Sequence, residues 1–257
     1  MLELDRISKT YNPGSVSEMC LFSEFSLTVQ DGEFVSIIGS NGSGKTSMLN
    51  IICGTIPLDS GDIRINGKSI RSMKDFRRMK RIGRVYQNPA AGTCPNLTML
   101  ENMALADNKN RSFGLSFAVD KKRIPVYREM LSSLGLGLED KLSVKMGSLS
   151  GGQRQVVSLL MATMNDLDFL ILDEHTAALD PKTADIVMEL TDRVVREKHL
   201  TAMMVTHNLR YACEYGTRML MLDRGRIVLD RAGEEKQNTE ISEVLHMFNE
   251  ISIECGN

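Results

Sequence analysis

Gly39-Ser40-Asn41-Gly42-Ser43-Gly44-Lys45-Thr46 is the stretch on which the reading of this chain turns. The apolar run Phe34-Val35-Ser36-Ile37-Ile38 precedes it, and the helix-forming Ser47-Met48-Leu49-Asn50-Ile51-Ile52-Cys53 follows. Strand, glycine-rich turn and helix, in that order, form the context that a phosphate-binding loop requires. Glycines let backbone N–H groups curl round an anion without obstruction from Cβ, and the helix N-terminus adds unpaired donors and a favourable dipole. Ser40, Asn41, Gly42, Ser43, Gly44, Lys45, Thr46 and Ser47 are therefore the candidate phosphate contacts. Lys45 would reach the β- and γ-phosphates of a nucleotide, and the Thr46 hydroxyl would ligate Mg²⁺.

Working outward, a chain of 257 residues is long enough for one large α/β core, or a core with an inserted subdomain. Its 31 basic and 33 acidic residues leave a net charge of −2, which gives no electrostatic case for nucleic acid. No apolar run reaches the ~20 residues that span a bilayer. Met1-Leu2-Glu3-Leu4-Asp5 has neither a basic n-region nor an apolar h-region, so no signal peptide is read. Cys20, Cys53, Cys94, Cys213 and Cys255 are scattered and form no CxxC pair, which reads as reduced, partly buried thiols and not as a metal site.

N-terminal to the loop, residues 2–11 and 22–30 read as strands. Beyond the first helix, which stops at Gly54, Asp62-Ile63-Arg64-Ile65 runs into Asn66-Gly67, a hairpin signal. The basic run Arg71, Lys74, Arg77, Arg78, Lys80 and Arg81 reads as the solvated face of a helix, and a short strand follows at 82–86. From Gln87 to about residue 164 the texture is helical. Helices are expected at 98–106 and after Pro125, separated by a polar, basic excursion over 107–124. The core resumes with Phe169-Leu170-Ile171-Leu172-Asp173, a continuous apolar run suited to a buried parallel strand. Pro181 starts a helix with Ile186, Val187, Leu190 and Val194 along one face, and a strand follows at 202–206. A hairpin then turns at Arg224-Gly225. Ile241, Val244, Leu245, Phe248 and Ile251 form a helical apolar stripe at the C-terminus.

Two further stretches carry chemistry. Asp173-Glu174 ends the buried strand, and ligands of open parallel sheets sit at the carboxyl ends of strands. Asp173 can hold Mg²⁺, and Glu174 can accept a proton from, or orient, the water that attacks the γ-phosphate. In Leu149-Ser150-Gly151-Gly152-Gln153, Ser150 can cap the helix that follows while two glycines leave N–H groups free. That makes a second anion site, which is most useful to the nucleotide of another subunit.

In this order the motifs resemble those of the ABC-transporter ATPase family. Gly39 to Thr46 is similar to its Walker A, Gln87 to its Q-loop glutamine, and Leu149 to Gln153 to its LSGGQ signature. Leu170 to Asp173 with Glu174 resembles Walker B and its glutamate, Ala178-Leu179-Asp180 the D-loop, and His207 the switch histidine. Tyr11 looks like the aromatic that stacks on adenine. The resemblance implies an α/β fold: a P-loop (RecA-like) parallel-sheet core with an N-terminal antiparallel β subdomain and an inserted α-helical subdomain. Residues 1–87 and 165–230 would form the core and β subdomain, 88–164 the helical subdomain, and 231–257 a helical tail. It also implies an ATPase that uses ATP and Mg²⁺, with Glu174, His207 and Gln87 catalytic and Thr46, Gln87 and Asp173 at the metal.

Two such subunits would sandwich two ATPs head to tail, with Ser150, Gly151 and Gly152 binding the γ-phosphate in trans and Gln153 supporting that loop. Further partners would be transmembrane permease subunits and, through them, a substrate-binding protein, at the cytoplasmic face of the cell membrane. A free-standing ATPase chain suits an importer; the ATPase of a multi-subunit exporter carries the same motifs, and a soluble ABC ATPase that acts outside transport is the remoter alternative. The string Glu174-His175-Thr176-Ala177-Ala178 departs from the family by placing His175 where proline is common. It resembles a group of importer ATPases assigned to amino-acid uptake, of the tryptophan/tyrosine type. Two readings of His175 stand open: a neutral D-loop contact, or an imidazole titrating between pH 6 and 7 beside Glu174.

Overall fold

In the computed structural model, which describes residues 1–110 and 118–254, the chain begins with β1 (Leu2–Tyr11) and β2 (Met19–Val29). β3 (Phe34–Gly39) leads into α1 (Lys45–Cys53), and β4 (Ser60–Ile65), β5 (Lys68–Ser69), the short α2 (Asp75–Arg78) and β6 (Ile82–Val85) follow. The helical stretch holds α3 (Met99–Asp107), α4 (Ile124–Ser132) and α5 (Gly151–Ala162). The chain returns through β7 (Phe169–Asp173), α6 (Pro181–Glu197), β8 (Ala202–Val205), α7 (Leu209–Glu214), β9 (Arg218–Asp223) and β10 (Arg226–Ala232). It closes with α8 (Gly233–Gln237) and α9 (Ile241–Glu254).

Two sheets result. A six-stranded sheet runs β10-β9-β3-β8-β7-β6, parallel except at the β9–β10 hairpin, and a four-stranded antiparallel sheet runs β2-β1-β4-β5. Every residue of β3, β7 and β8 is buried, which is why these strands read as unbroken apolar runs. One face of the parallel sheet packs with α1 and the antiparallel sheet through Ile37, Met48, Ile52, Phe169, Ile171 and Leu220, among others. The other face packs on α6 through Leu170, Leu172, Met188 and Met204. A separate apolar cluster joins α3, α4, α5 and α6, with Met99, Met103, Tyr127, Leu131 and Val157 all 1% exposed or less.

Register fixes where the loops emerge. β3 pairs β8 with Ile37 opposite Val205, and β7 pairs β8 with Asp173 opposite Val205. All three strands point the same way, so the loop after Gly39, the Asp173-Glu174 step and His207 leave one edge of the sheet together.

Several sequence expectations are corrected. Arg78 is buried, not solvated. Its Nη1 donates to Ile51 O at 2.9 Å and Ile52 O at 3.0 Å, so a cation closes the carbonyl end of α1, where the helix dipole favours it. The apolar face of α6 is formed by Ala184, Val187, Met188, Leu190 and Val195, whereas Ile186 is exposed. Among the described side chains of α9 only Val244 is fully buried, with Met247 and Phe248 packed beside it; Ile241 and Leu245 are exposed, and the Ile251 side chain lies outside the described residues. The basic excursion is tied down at both described ends, since Lys109 Nζ donates to Ile82 O at 3.4 Å and Arg123 pairs with Asp107 at 2.7 Å. Arg111 lies outside the described residues, as does Cys255. Of the other cysteines only Cys53 is buried, Cys20 and Cys94 being exposed.

Candidate active site at the carboxyl edge of the parallel sheet

The loop between β3 and α1 is held in shape by its own lysine. Lys45, buried apart from its reach into the loop, donates from Nζ to Gly39 O at 2.7 Å, Ser40 O at 2.8 Å and Ser43 Oγ at 3.4 Å. Burial pulls the ammonium below its ordinary pKa, and the nearby Glu174 carboxylate opposes that shift. Gly44, in the left-handed conformation, precedes α1 without a side-chain cap, so the first-turn N–H groups stay available to an anion. Thr46 at this helix start is exposed. The loop is braced from outside by Gly225, in the β9–β10 turn, whose N–H donates to Ser43 O at 3.0 Å. A Cβ on Gly225 would fall 1.7 Å from Leu21 O, so only glycine lets this turn approach.

Tyr11 ends β1 partly buried, and its hydroxyl lies 3.3 Å from Ser47 Oγ. That places an aromatic ring at the side of the phosphate loop, with Lys9 5.7 Å from the ring centroid.

Asp173 and Glu174 close β7. Glu174 takes φ +46, a left-handed conformation rare outside glycine, and is held there by Glu174 N–H to Val205 O at 2.9 Å and Ala177 N–H to Glu174 O at 3.0 Å. The turn aims the carboxylate across the edge, where Oε1 meets His207 Nε2 at 2.7 Å. Glu174 is 15% exposed at its side chain and His207 42%, so the pair stands at the mouth of the site and not inside it. Asp173 faces an unforeseen partner: Arg84 of β6 donates from Nη2 to Asp173 Oδ2 at 2.6 Å and from Nη1 to Asn50 Oδ1 at 2.9 Å. The one sequence signal for Arg84 was a charge inside an otherwise apolar strand.

The signature stretch lies at the start of α5. Ser150 Oγ accepts from Gln153 N–H at 3.2 Å and Gln153 Oε1 accepts from Ser150 N–H at 3.3 Å, a complete capping box. Ser150 and Gly151 are exposed, and Gly152 is buried against Thr183 of α6. These hydrogen bonds are internal to the motif; none reaches the phosphate loop of the same chain. Gln87 is also exposed, and among the described residues it makes no hydrogen bond to Thr46 or Asp173. Gln155, missed in the sequence, donates from Nε2 to Tyr86 O at 3.0 Å and so links α5 to the residue before Gln87.

His175 turns away from the site. It is 2% exposed, and its Nε2 lies 3.1 Å from Thr191 Oγ1 of α6. The Thr191 hydroxyl already donates to Val187 O at 2.7 Å, so the imidazole nitrogen is the donor to Thr191. Burial pushes its pKa down to about 4, and the reading of an imidazole titrating between pH 6 and 7 is overturned.

No three His, Cys, Asp or Glu side chains among the described residues converge on a metal-sized cage. Mg²⁺ keeps its waters and is bound with a nucleotide's phosphates by one or two protein oxygens, so the Asp173 carboxylate and the exposed Thr46 hydroxyl would be its candidate ligands.

A parallel α/β sheet with this phosphate loop and an acidic pair at its carboxyl edge defines a P-loop nucleotide-hydrolysing protein. The family model for the ABC transporter matches residues 22–177. A tyrosine transport ATP-binding protein of Clostridioides difficile is 44% identical over 248 residues, covering 96% of this chain and 98% of that protein. The ABC transporter ATP-binding protein YxdL of Bacillus subtilis is 34% identical over 258 residues, covering 96% and 94%. Among solved structures, the dimeric post-hydrolysis state of the ATP-binding cassette MJ0796 bound to ADP and Pi superposes with a TM-score of 0.76 at 32% identity, covering 90% of this chain and 98% of that one. The chain belongs to the ABC transporter family, as an ATP-binding and ATP-hydrolysing subunit. No helix among the described residues is long and apolar enough to cross a membrane.

Proposed function

We propose that this ATPase powers an importer, as one of two copies that close head to tail over two ATP molecules. The observation that carries this reading is the separation of the two anion sites. The phosphate loop and the exposed, capped start of α5 make no hydrogen bond to one another within the chain. A second subunit's Ser150, Gly151 and Gly152, supported by Gln153, would complete each site. In this reading Tyr11 stacks on the adenine. The N–H groups from Ser40 to Ser47 and the Lys45 ammonium hold the phosphates, with Lys45 exchanging its carbonyl partners for phosphate oxygens. Thr46, Asp173 and Gln87 would hold Mg²⁺, which would neutralise charge on the nucleotide's phosphates. Glu174 orients the attacking water and takes its proton, and His207, 2.7 Å away, positions Glu174 and senses the γ-phosphate. Closure is favoured because the γ-phosphate touches both chains, and hydrolysis removes that contact.

Residues 1–87 and 165–230 would then act as the catalytic core, 88–164 as the helical subdomain that carries the signature, and 231–257 as a tail. A cavity of about 450 Å³, lined by Tyr86, Pro89, Cys94, Leu105, Lys109 and Met161, lies beside the Gln87 loop. It suits a helix of a transmembrane permease, which would hold the subunit at the cytoplasmic face of the membrane. The tyrosine transport relative points to an aromatic amino acid as the cargo, delivered to the permease by a substrate-binding protein.

The decisive variant is Glu174→Gln. It should bind ATP as the wild type does, lose about 10²–10⁴-fold in kcat, and accumulate as an ATP-bound dimer in size-exclusion chromatography. Unimpaired turnover would remove Glu174 from its role, and an ATP-loaded protein that stays monomeric would remove the sandwich.

A further inference from the structure

Arg84 has no place in the reaction as just described, yet it is the nearest charge to the carboxylate proposed for the metal. Its side chain is 7% exposed and that of Asp173 12%, so their 2.6 Å contact is shielded from water. The guanidinium is fixed from three sides: Asp173 Oδ2, Asn50 Oδ1 at 2.9 Å, and the ring of Tyr86, whose centroid lies 4.7 Å away. Its Nε is buried without a partner. The edge of the sheet thus holds two cations, Lys45 and Arg84, opposite two carboxylates, Asp173 and Glu174.

A carboxylate followed directly in the chain by a second acid would attract a bare divalent cation, and a metal seated ahead of the nucleotide would occupy the phosphate site unproductively. We infer that Arg84 is the resident counter-ion of Asp173, which makes the nucleotide-free site reject a bare divalent cation and accept it only together with a polyphosphate. The inference rests on the reading of Asp173 as a metal-site residue. Arg84 touches neither nucleotide nor reacting atoms in this account, and so is a positioning residue. The Nη2 contact occupies only Oδ2 and leaves the other carboxylate oxygen for the ion. The polyphosphate brings enough negative charge to overcome the guanidinium's repulsion of the metal, which a bare cation cannot do in a site of low effective dielectric constant. Arginine suits the post because it stays charged when buried.

The test is Mn²⁺ binding to the nucleotide-free full-length protein, read from the EPR signal of free Mn²⁺. It compares wild type, the neutral variants Arg84→Gln and Arg84→Met, and the charge-keeping Arg84→Lys. Wild type and Arg84→Lys should bind Mn²⁺ no tighter than roughly millimolar, and the neutral variants at least about tenfold tighter. ATP affinity in EDTA should stay within about threefold across the set. Micromolar Mn²⁺ binding by nucleotide-free wild type overturns the proposal without any variant. So does a neutral variant that melts cooperatively and binds Mn²⁺ no tighter than wild type. Asp173→Asn separates the two readings. If it keeps the Mn²⁺-dependent tightening of ATP binding seen in wild type, the metal assignment of Asp173 itself falls. If it loses that tightening while the neutral Arg84 variants behave as wild type, only the counter-ion falls.

Discussion

Glu174 and His175 are neighbours in the chain and opposites in environment. The left-handed turn at Glu174 throws its carboxylate to the open edge of the sheet, and the next residue is thereby driven inward onto α6. His175 is neutral in the fold, with a pKa of about 4 against an ordinary 6.5, so the unfolded chain binds its proton first as pH falls. Its contribution to stability is whole above pH 6.5 and is lost progressively as pH drops toward 4. Between pH 7 and pH 5 that loss comes to about 2 kcal/mol. Denaturant unfolding at the two pH values should show the wild type losing about that much more than His175→Gln. Equal losses would mean that the imidazole is not buried neutral. The same geometry keeps His175 out of the pH–rate profile, which should coincide in wild type and variant between pH 6 and 8.

At the scale of elements, the signature helix depends on how closely α5 lies on α6. Gly152 is buried where a Cβ would stand 2.1 Å from Thr183 Cγ2, and Thr183 is a β-branched residue with little rotamer freedom on its helix. Gly152→Ala should therefore push the start of α5 off α6 and cost about 1–3 kcal/mol of stability along with ATPase activity. Thr183→Ser removes the offending methyl and keeps the N–H that Asp180 Oδ1 accepts at 3.1 Å, so the double variant should regain much of both. Thermal melts and steady-state ATPase assays on the two variants measure this. No recovery would locate the fault in the phosphate contact and not in the packing.

For the molecule as a whole, the proposed sandwich makes each reaction site the joint property of two chains. Lys45→Ala disables the phosphate loop of its own chain, and Ser150→Arg disables the signature offered to the other. A heterodimer of the two variants keeps one site with both halves intact. Each variant alone should be inactive, and an equal mixture should recover about a quarter of wild-type ATPase activity, since about half the dimers are mixed and each holds one good site. An inactive mixture in which mixed dimers form would overturn the reading of two independently working sites, each shared in trans.

The sequence by itself determined the class of fold and the candidate positions for chemistry. Glycine spacing, apolar runs of strand length and terminal acids are local signals, and each follows from backbone sterics or burial within a few residues. Lys45, Asp173 and Glu174 were readable as candidates in that way, whereas Tyr11 and His207 came forward only through the resemblance of the ordered motifs to the ABC-transporter ATPases. What only the tertiary structure decided is how charges far apart in the chain are settled. Arg78 reads as one more solvated cation until the C-terminal end of α1 is placed over it. Arg84 reads as an oddity in a strand until β6 and β7 set it against Asp173. Gly225 reads as a hairpin glycine until its turn meets Ser43, and His175 reads equally as a neutral contact or as a titrating neighbour of Glu174 until α6 covers it. A residue's type says what it can bond, but which partner reaches it first, and whether water does, depends on segments brought together by packing. The phosphate loop was therefore readable from eight consecutive residues, whereas the balance of charge that governs it was not.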